Sequence, residues 1–440
     1  MRCGYHTWWR RAAVLALALS LSGCGAVLGS GDIETFLRAP RLSGEASGVQ
    51  KALNSYLGST AALKYPASGD FLSPFLFGDW DGDGMQEAAV LYTSDSVGSN
   101  VCMAVLEPSE SSGWMVAQTV EGLSGSVESV NTAHLRDTDS LQILVGYGSA
   151  QGDRYLVVYQ YTEDKLHTII KQNYTDMILA NITGTGETQD LILTLPTETE
   201  NGGVNLQLLT YVGGEFRSAQ TLAVGEGSYN GCAGLHAGAG GDGSPYLVVD
   251  GWVGTSANSL ASTIIIYDEE TGFLKAYTPP GVVDLYRATL RYETSLLSID
   301  LDGNGTIDIP TELDDGGVVA PPADKQLYFL LWKDYFDASE GNTHFGVYDS
   351  KNRFFLALPE SMHGSVQLRS NAAGTGWLIC NADSSIIYCE LRVANPSDDA
   401  EEYPYQRIAT IGSQQLQARI VTSYYGLSLE DIAENTVLME

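Results

Sequence analysis

Between residues 71 and 335 the chain is written as short runs of apolar and β-branched residues, and the runs fall into groups of four that recur about every 50 residues. The first group is Phe71–Asp79, Glu87–Thr93, Asn100–Glu107 and Gly113–Glu121. The second is Val127–Leu135, Leu141–Ser149, Arg154–Thr162 and Lys165–Asn173. The third is Asp176–Thr183, Asp190–Leu195, Val204–Val212 and Glu215–Ala223. The fourth is Tyr229–His236, Pro245–Val253, Ser262–Asp268 and Phe273–Tyr277. The fifth is Thr289–Asp300, Ile307–Glu312, Gln326–Tyr335 and a partner after Asn342. A four-stranded unit cannot bury its faces alone, so units repeated at this period must stack on one another. The expected fold is mainly β, a β-propeller of about five four-stranded repeats, possibly six or more.

Each group has a long link between its first two strands, and in groups one and five that link is acidic. The first reads Asp79-Trp-Asp81-Gly-Asp83-Gly-Met85-Gln-Glu87, the second Asp300-Leu-Asp302-Gly-Asn304-Gly-Thr306-Ile-Asp308. Both carry oxygen-bearing side chains at loop positions 1, 3, 5 and 9 and Gly at 4 and 6, a spacing that wraps one hard cation such as Ca²⁺. Met85 and Thr306, at position 7, would add backbone carbonyls. An EF-hand is excluded, because position 12 is Val90 or Thr311 rather than Glu, and strands rather than helices come next. With Phe77-Gly78 before the first of them, the loops resemble the calcium loops of FG-GAP/VCBS-type repeats, the blades of integrin-α-like propellers found in many bacterial surface proteins. No matching Gly-Ala-Pro tripeptide is present. The corresponding links at residues 136–140, 184–189 and 238–243 read as versions that have lost ligands, leaving up to two structural Ca²⁺ ions.

The N-terminus has the form of an export signal. Arg2, Arg10 and Arg11 precede the apolar run Ala12–Leu21, which is too short to span a bilayer. Leu21-Ser22-Gly23-Cys24 resembles a bacterial lipobox, which implies cleavage before Cys24 and acylation of its sulfur. The expected organisation is a lipoprotein signal peptide at 1–23, a Gly/Ser-rich flexible tether at 24–44, an amphipathic helix (Val49, Leu53 and Leu57 share a face) plus the propeller at 45–338, and a small α+β domain at 339–440. A sixth blade closing the ring is the alternative for that last part. Its closing helix is expected at Ser428–Val437, capped by Ser428 with Asp431.

The formal charge of −31 argues against nucleic acid and anionic membrane faces as partners. Of six Cys, Cys3 leaves with the signal and Cys24 carries lipid, so Cys102, Cys232, Cys380 and Cys389 remain. A two-residue turn at Ser384-Ser385 places Cys380 and Cys389 opposite each other as a non-hydrogen-bonded pair, which predicts a disulfide. Whether Cys102 and Cys232 pair is left open.

No catalytic residue is identified: there is no HExxH, GxSxG, P-loop or Cys–His nucleophile pattern, and the histidines are scattered singly. Gly238-Ala-Gly240-Gly-Asp-Gly243 matches GxGxxG but opens a strand at Pro245, not the helix a dinucleotide needs. The expectation is therefore a non-enzymatic, calcium-stabilised lipoprotein on the extracytoplasmic face of a bacterial membrane, binding a protein or glycan partner. The alternative is a polysaccharide-acting enzyme on the same fold, recognisable by a cleft with two carboxylates and aromatic walls.

Overall fold

The computed structural model describes residues 44–439, apart from 95–97, 112, 150, 185–187, 197–201, 213, 255, 313–326, 338–342, 373, 397–404 and 425. The signal peptide, Cys24 and the tether through residue 43 lie outside the described residues. The chain divides into two units, Met1–Lys51 and Ala52–Glu440. The expected amphipathic helix forms, over Gly44–Leu57. No described helix is long and apolar enough to cross a membrane. All the described sheets belong to the second unit.

The described residues of this unit form six sheets, taken up by the chain in order. The first four sheets meander antiparallel through the expected groups, and short strands Ala62–Leu63 and Ser68–Gly69 add to the first and second, the latter in parallel. Seven of their strands, Glu87–Thr93, Gly113–Glu121, Arg154–Thr162, Asp190–Leu195, Val204–Val212, Pro245–Val253 and Phe273–Tyr277, have the expected limits. The second strand of each of these sheets is buried on both sides: all seven residues of Gln142–Gly148 are buried. That explains why these strands read as unbroken apolar runs, whereas the outer strand Lys165–Tyr174 mixes exposed and buried positions. Apolar clusters join each sheet to the next. Trp80, Val101 and Val105 meet Val130, Ile143 and Tyr159 between sheets one and two. Leu144 and Leu156 meet Leu191 and Leu209, and Leu206 and Leu208 meet Leu247 and Val249. Tyr246 and Val248 meet Ile307 and Ile309, and Phe329 and Phe345 meet Leu368 and Leu391. Each such side chain contributes about 1.5–3 kcal/mol.

The structure corrects three expectations. The propeller is not found: the described residues make six separate open sheets rather than a closed ring of about five, and none of these clusters joins the sixth sheet to the first. A 50-residue period reports stacking of neighbours and is silent on whether the row closes.

The small α+β domain after residue 338 is not found either. Leu327–Asp334 pairs with Thr343–Asp349, so the fifth sheet runs across that boundary. The Cys-containing hairpin belongs to the sixth sheet, formed by Val366–Ser370, Trp377–Asn381, Ile387–Ala394, Gln406–Ile411 and Gln414–Ile420. Helix Leu429–Glu434, with the Ser428/Asp431 capping box, comes next, and Thr436–Leu438 then returns to pair with Phe354–Leu356 of the fifth sheet.

The third correction is the strand expected at Thr289–Asp300. A short helix, Leu285–Ala288, is succeeded by single bridges, Arg291 to Leu260 of the fourth sheet and Ile299 to Asp308. Asp250, in the fourth sheet, claims the Arg291 side chain and the Ser298 N–H, so the segment is drawn off its own ladder.

Candidate functional site

Both acidic loops connect adjacent antiparallel positions, as the sequence pattern requires: Gly78 pairs with Glu87, and Ile299 with Asp308. Their turns are made by Gly82 and Gly84 at φ 83° and 86°, and by Gly303 and Gly305 at 76° and 90°, values a side chain would strain. The two loops share one hydrogen-bond scheme. The position-1 carboxylate accepts from the position-6 N–H, Gly84 to Asp79 Oδ2 at 2.9 Å and Gly305 to Asp300 Oδ2 at 2.9 Å. The position-5 side chain accepts from the position-7 N–H, Met85 to Asp83 and Thr306 to Asn304, both at 2.7 Å. The position-9 carboxylate accepts from the position-2 N–H, Trp80 to Glu87 at 2.8 Å and Leu301 to Asp308 at 3.2 Å.

That last bond recurs where the acids are missing. Leu135 N–H donates to Gln142 Oε1 at 2.7 Å and Thr183 N–H to Asp190 Oδ2 at 2.9 Å, with the same seven-residue offset. Position 9 is therefore a structural staple of the link in four sheets, charged or not. Sequence reasoning scored these links only for lost ligands and missed what they keep.

In the first loop the carboxylates converge. Ligand oxygens of Asp79, Asp81, Asp83 and Glu87 all lie within 4.8 Å of one another. Two oxygens bound to one Ca²⁺ at about 2.4 Å sit no more than about 4.8 Å apart, so this set fits a single calcium ion. The Met85 side chain is exposed, leaving its carbonyl as the group that could face a cation. In the second loop the convergent set is Asp302, Asp308 and His344. Asp300 is engaged with the N–H groups of Asn304 and Gly305, and Asn304 Oδ1 with Thr306. His344, which looked isolated in sequence, comes from Thr343–Asp349 and places Nε2 3.5 Å from Asp302 Oδ2.

The electrostatics match the crowding. Burial, with Asp81, Asp79 and Asp83 adding to it and the Trp80 N–H opposing, pushes the Glu87 carboxyl up to about 7. Burial likewise takes Asp308 to about 7, opposed by the Leu301 N–H and reinforced by Asp302, Asp334 and Asp300. Trp80 is fully buried and holds the first loop down, its ring against Gly78, where a Cβ would meet ring carbons at 2.7 Å. The Gly of Phe77-Gly78 thus has a packing role.

A second polar centre has no sequence signature. Asp250 and Arg291 are both fully buried and ion-paired at 2.9 Å. Asp250 also accepts from Ser262 Oγ (2.6 Å), Ser298 Oγ (2.8 Å) and Ser298 N–H (2.6 Å), and pairs with His236 Nε2 at 3.3 Å. Burial alone would raise the Asp250 carboxyl, but Arg291 and His236 outweigh it and hold it well below the usual range. This network ties the 289–298 segment to the fourth sheet.

The expected disulfide is not formed; Cys102, Cys232, Cys380 and Cys389 are free thiols. The turn closes between Asn381 and Ile386, which sets Cys380 opposite Ile387, and a bulge next to that pair sets Cys389 opposite Ile379, one rung apart, so the two side chains leave opposite faces. Burial pushes the Cys232 and Cys389 thiols up to about 12, the reverse of an activated nucleophile.

No family model and no curated protein matches the chain. Among solved structures, similarity is found to the exotype rhamnogalacturonan lyase YesX, with 13% identity, 55% of this chain and 59% of that one covered, and a TM-score of 0.20. It is also found to the rhamnogalacturonan lyase YesW, with 12% identity, 74% and 71% covered, and a TM-score of 0.34. The chain thus spans about three fifths of the first of these lyases. Likeness at these scores carries no argument about activity.

Proposed function

We propose that this chain is an extracytoplasmic lipoprotein, anchored through Cys24, whose stacked sheets form a calcium-stabilised scaffold that binds a protein or glycan partner and performs no catalysis of its own. The observation that carries the calcium reading is the convergence of Asp79, Asp81, Asp83 and Glu87, whose ligand oxygens lie close enough together to share one cation. There Ca²⁺ would be held by those carboxylates and the Met85 carbonyl. At the second loop it would be held by Asp302 and Asp308, with Asp300, Asn304 and the Thr306 carbonyl completing the set. Its chemistry is neutralisation: several carboxylates crowded at one hairpin repel, and a bound cation removes that repulsion and stabilises the folded state by linkage.

The test is thermal unfolding with 1 mM CaCl₂ or excess EDTA. Chelation is expected to lower Tm by about 5 °C or more, and Asp81→Ala or Asp302→Ala each to remove part of the calcium response. An unchanged Tm in EDTA, with both variants behaving like the parent, refutes the calcium reading. The anchor is tested separately by lipid labelling in a bacterial host, which Cys24→Ala abolishes if the lipobox is used.

A further inference from the structure

The acidic loops lie beyond the ends of first strands. At the starts of first strands, in sheets two to four, three cavities of 260, 310 and 280 Å³ adjoin. The first two share Arg154 and Tyr174 and the last two share Thr175, so the three lie side by side along three neighbouring sheets, and we read the row as one groove. We propose that this groove is a binding site for an uncharged oligosaccharide, which rests on the reading of the chain as a binding scaffold and names its partner.

The lining has the chemistry of a sugar site. Glu128 and Asn131 come from the first strand of sheet two, Asp176 from that of sheet three, and Trp252 from the second strand of sheet four. Arg154 and Asn230 stand exposed at the mouths. Planar amide, carboxylate and guanidinium groups spaced along a groove can bridge adjacent sugar hydroxyls by paired hydrogen bonds. A half-buried indole offers a flat apolar face to the C–H side of a pyranose. The site is braced. Arg154 donates to the Thr175 carbonyl at 2.9 Å, the Met177 N–H holds Asp176 at 2.8 Å, and Asn131 Oδ1 accepts from Asp70 N–H at 3.1 Å. Tyr174 lies beneath, buried and hydrogen-bonded to Ser129.

Charge selects within glycans. Three lining carboxylates, Glu128, Asp153 and Asp176, face one guanidinium, Arg154, on a chain of net charge −31. A polyuronate would be repelled at both ranges.

The test is calorimetric titration of the calcium-loaded, full extracytoplasmic chain with hexasaccharides of cellulose, xylan, mannan and galactan, and with hexagalacturonate as the acidic probe. At least one neutral hexamer is expected to bind, with Trp252→Ala weakening it about tenfold or more and the exposed-site variant Arg154→Gln about threefold or more. Circular dichroism and Tm of each variant must match the parent for the comparison to count; Arg154→Gln serves if Trp252→Ala fails to fold. Absence of binding to every neutral hexamer, binding to hexagalacturonate alone, or undiminished binding by both variants overturns the proposal. The two readings separate cleanly. Binding with a calcium-insensitive Tm retains the groove and removes the calcium reading, whereas chain shortening of a bound hexamer, seen by mass spectrometry, retains the groove and removes the non-enzymatic one.

Discussion

The Asp250–Arg291 pair makes an ordered prediction. Both residues are fully buried, so removing either leaves the other's charge without solvent. The two losses differ in what remains. After Asp250→Ala the guanidinium keeps hydrogen bonds to the Leu296 and Thr289 carbonyls and to Ser262, but no anion balances it. The expected cost is about 3–5 kcal/mol. After Arg291→Met the carboxylate keeps three donors, from Ser262 and twice from Ser298, together with its contact to His236, and can take up a proton. The expected cost is about 1–3 kcal/mol, smaller because hydrogen bonds to the charged form remain. Asp250→Ala with Arg291→Met should cost less than the two single changes added, since neither stranded charge survives. Urea unfolding followed by tryptophan fluorescence at pH 7 measures all three. Linkage adds a sign. The folded-state carboxyl of Asp250 lies below its unfolded value, so the stability it contributes is present above the ordinary carboxylate range and lost as pH falls through and below it. Additive costs, a larger loss for Arg291→Met, or losses under about 1 kcal/mol for both would refute the reasoning.

Two further outcomes are expected. In EDTA the raised Glu87 and Asp308 carboxyls, near 7 in the folded state, make stability fall as pH rises from about 4 to 8, because the unfolded chain ionises them at lower pH. The effect is about 1–2 kcal/mol per group once solvent screening at the loop is allowed for, and a stability independent of pH across that window in chelator denies the crowding. Gly82→Ala places a Cβ 2.7 Å from the Asp139 carbonyl oxygen at a φ of 83°. It should cost about 1–3 kcal/mol, and a Tm equal to the parent's would show that the loop has room to shift.

Where sequence reasoning succeeded, one local pattern sufficed. Glu87–Thr93 and Pro245–Val253 were legible because apolar runs bounded by Gly, Asp or Pro have few other uses. The acidic loops were legible because ligand spacing is a property of nine consecutive residues. What failed depended on distant partners. Thr289–Asp300 alternates like a strand, yet Asp250, some 40 residues earlier, takes Arg291 and the Ser298 N–H. The Cys380/Cys389 pairing was counted from a two-residue turn at Ser384-Ser385, but the turn closes between Asn381 and Ile386 and a bulge beside it shifts the register again. His344 has no neighbour in sequence that marks it, and only sheet pairing carries it to Asp302. Closure of the stack is a global property, beyond the reach of any repeat period.

The return of Thr436–Leu438 to Phe354–Leu356 has a consequence for how this protein can change over time. The sixth sheet is spliced into the fifth as an excursion whose two ends are hydrogen-bonded side by side. Lengthening such an excursion is cheap, since doubling a closed loop costs only about 0.6 kcal/mol. The sixth sheet is thus the place where insertions are accommodated with little penalty to the rest. Losing the few residues that rejoin the fifth sheet is a different matter. It would expose an edge at Phe354–Leu356 and uncouple one end of the sixth sheet.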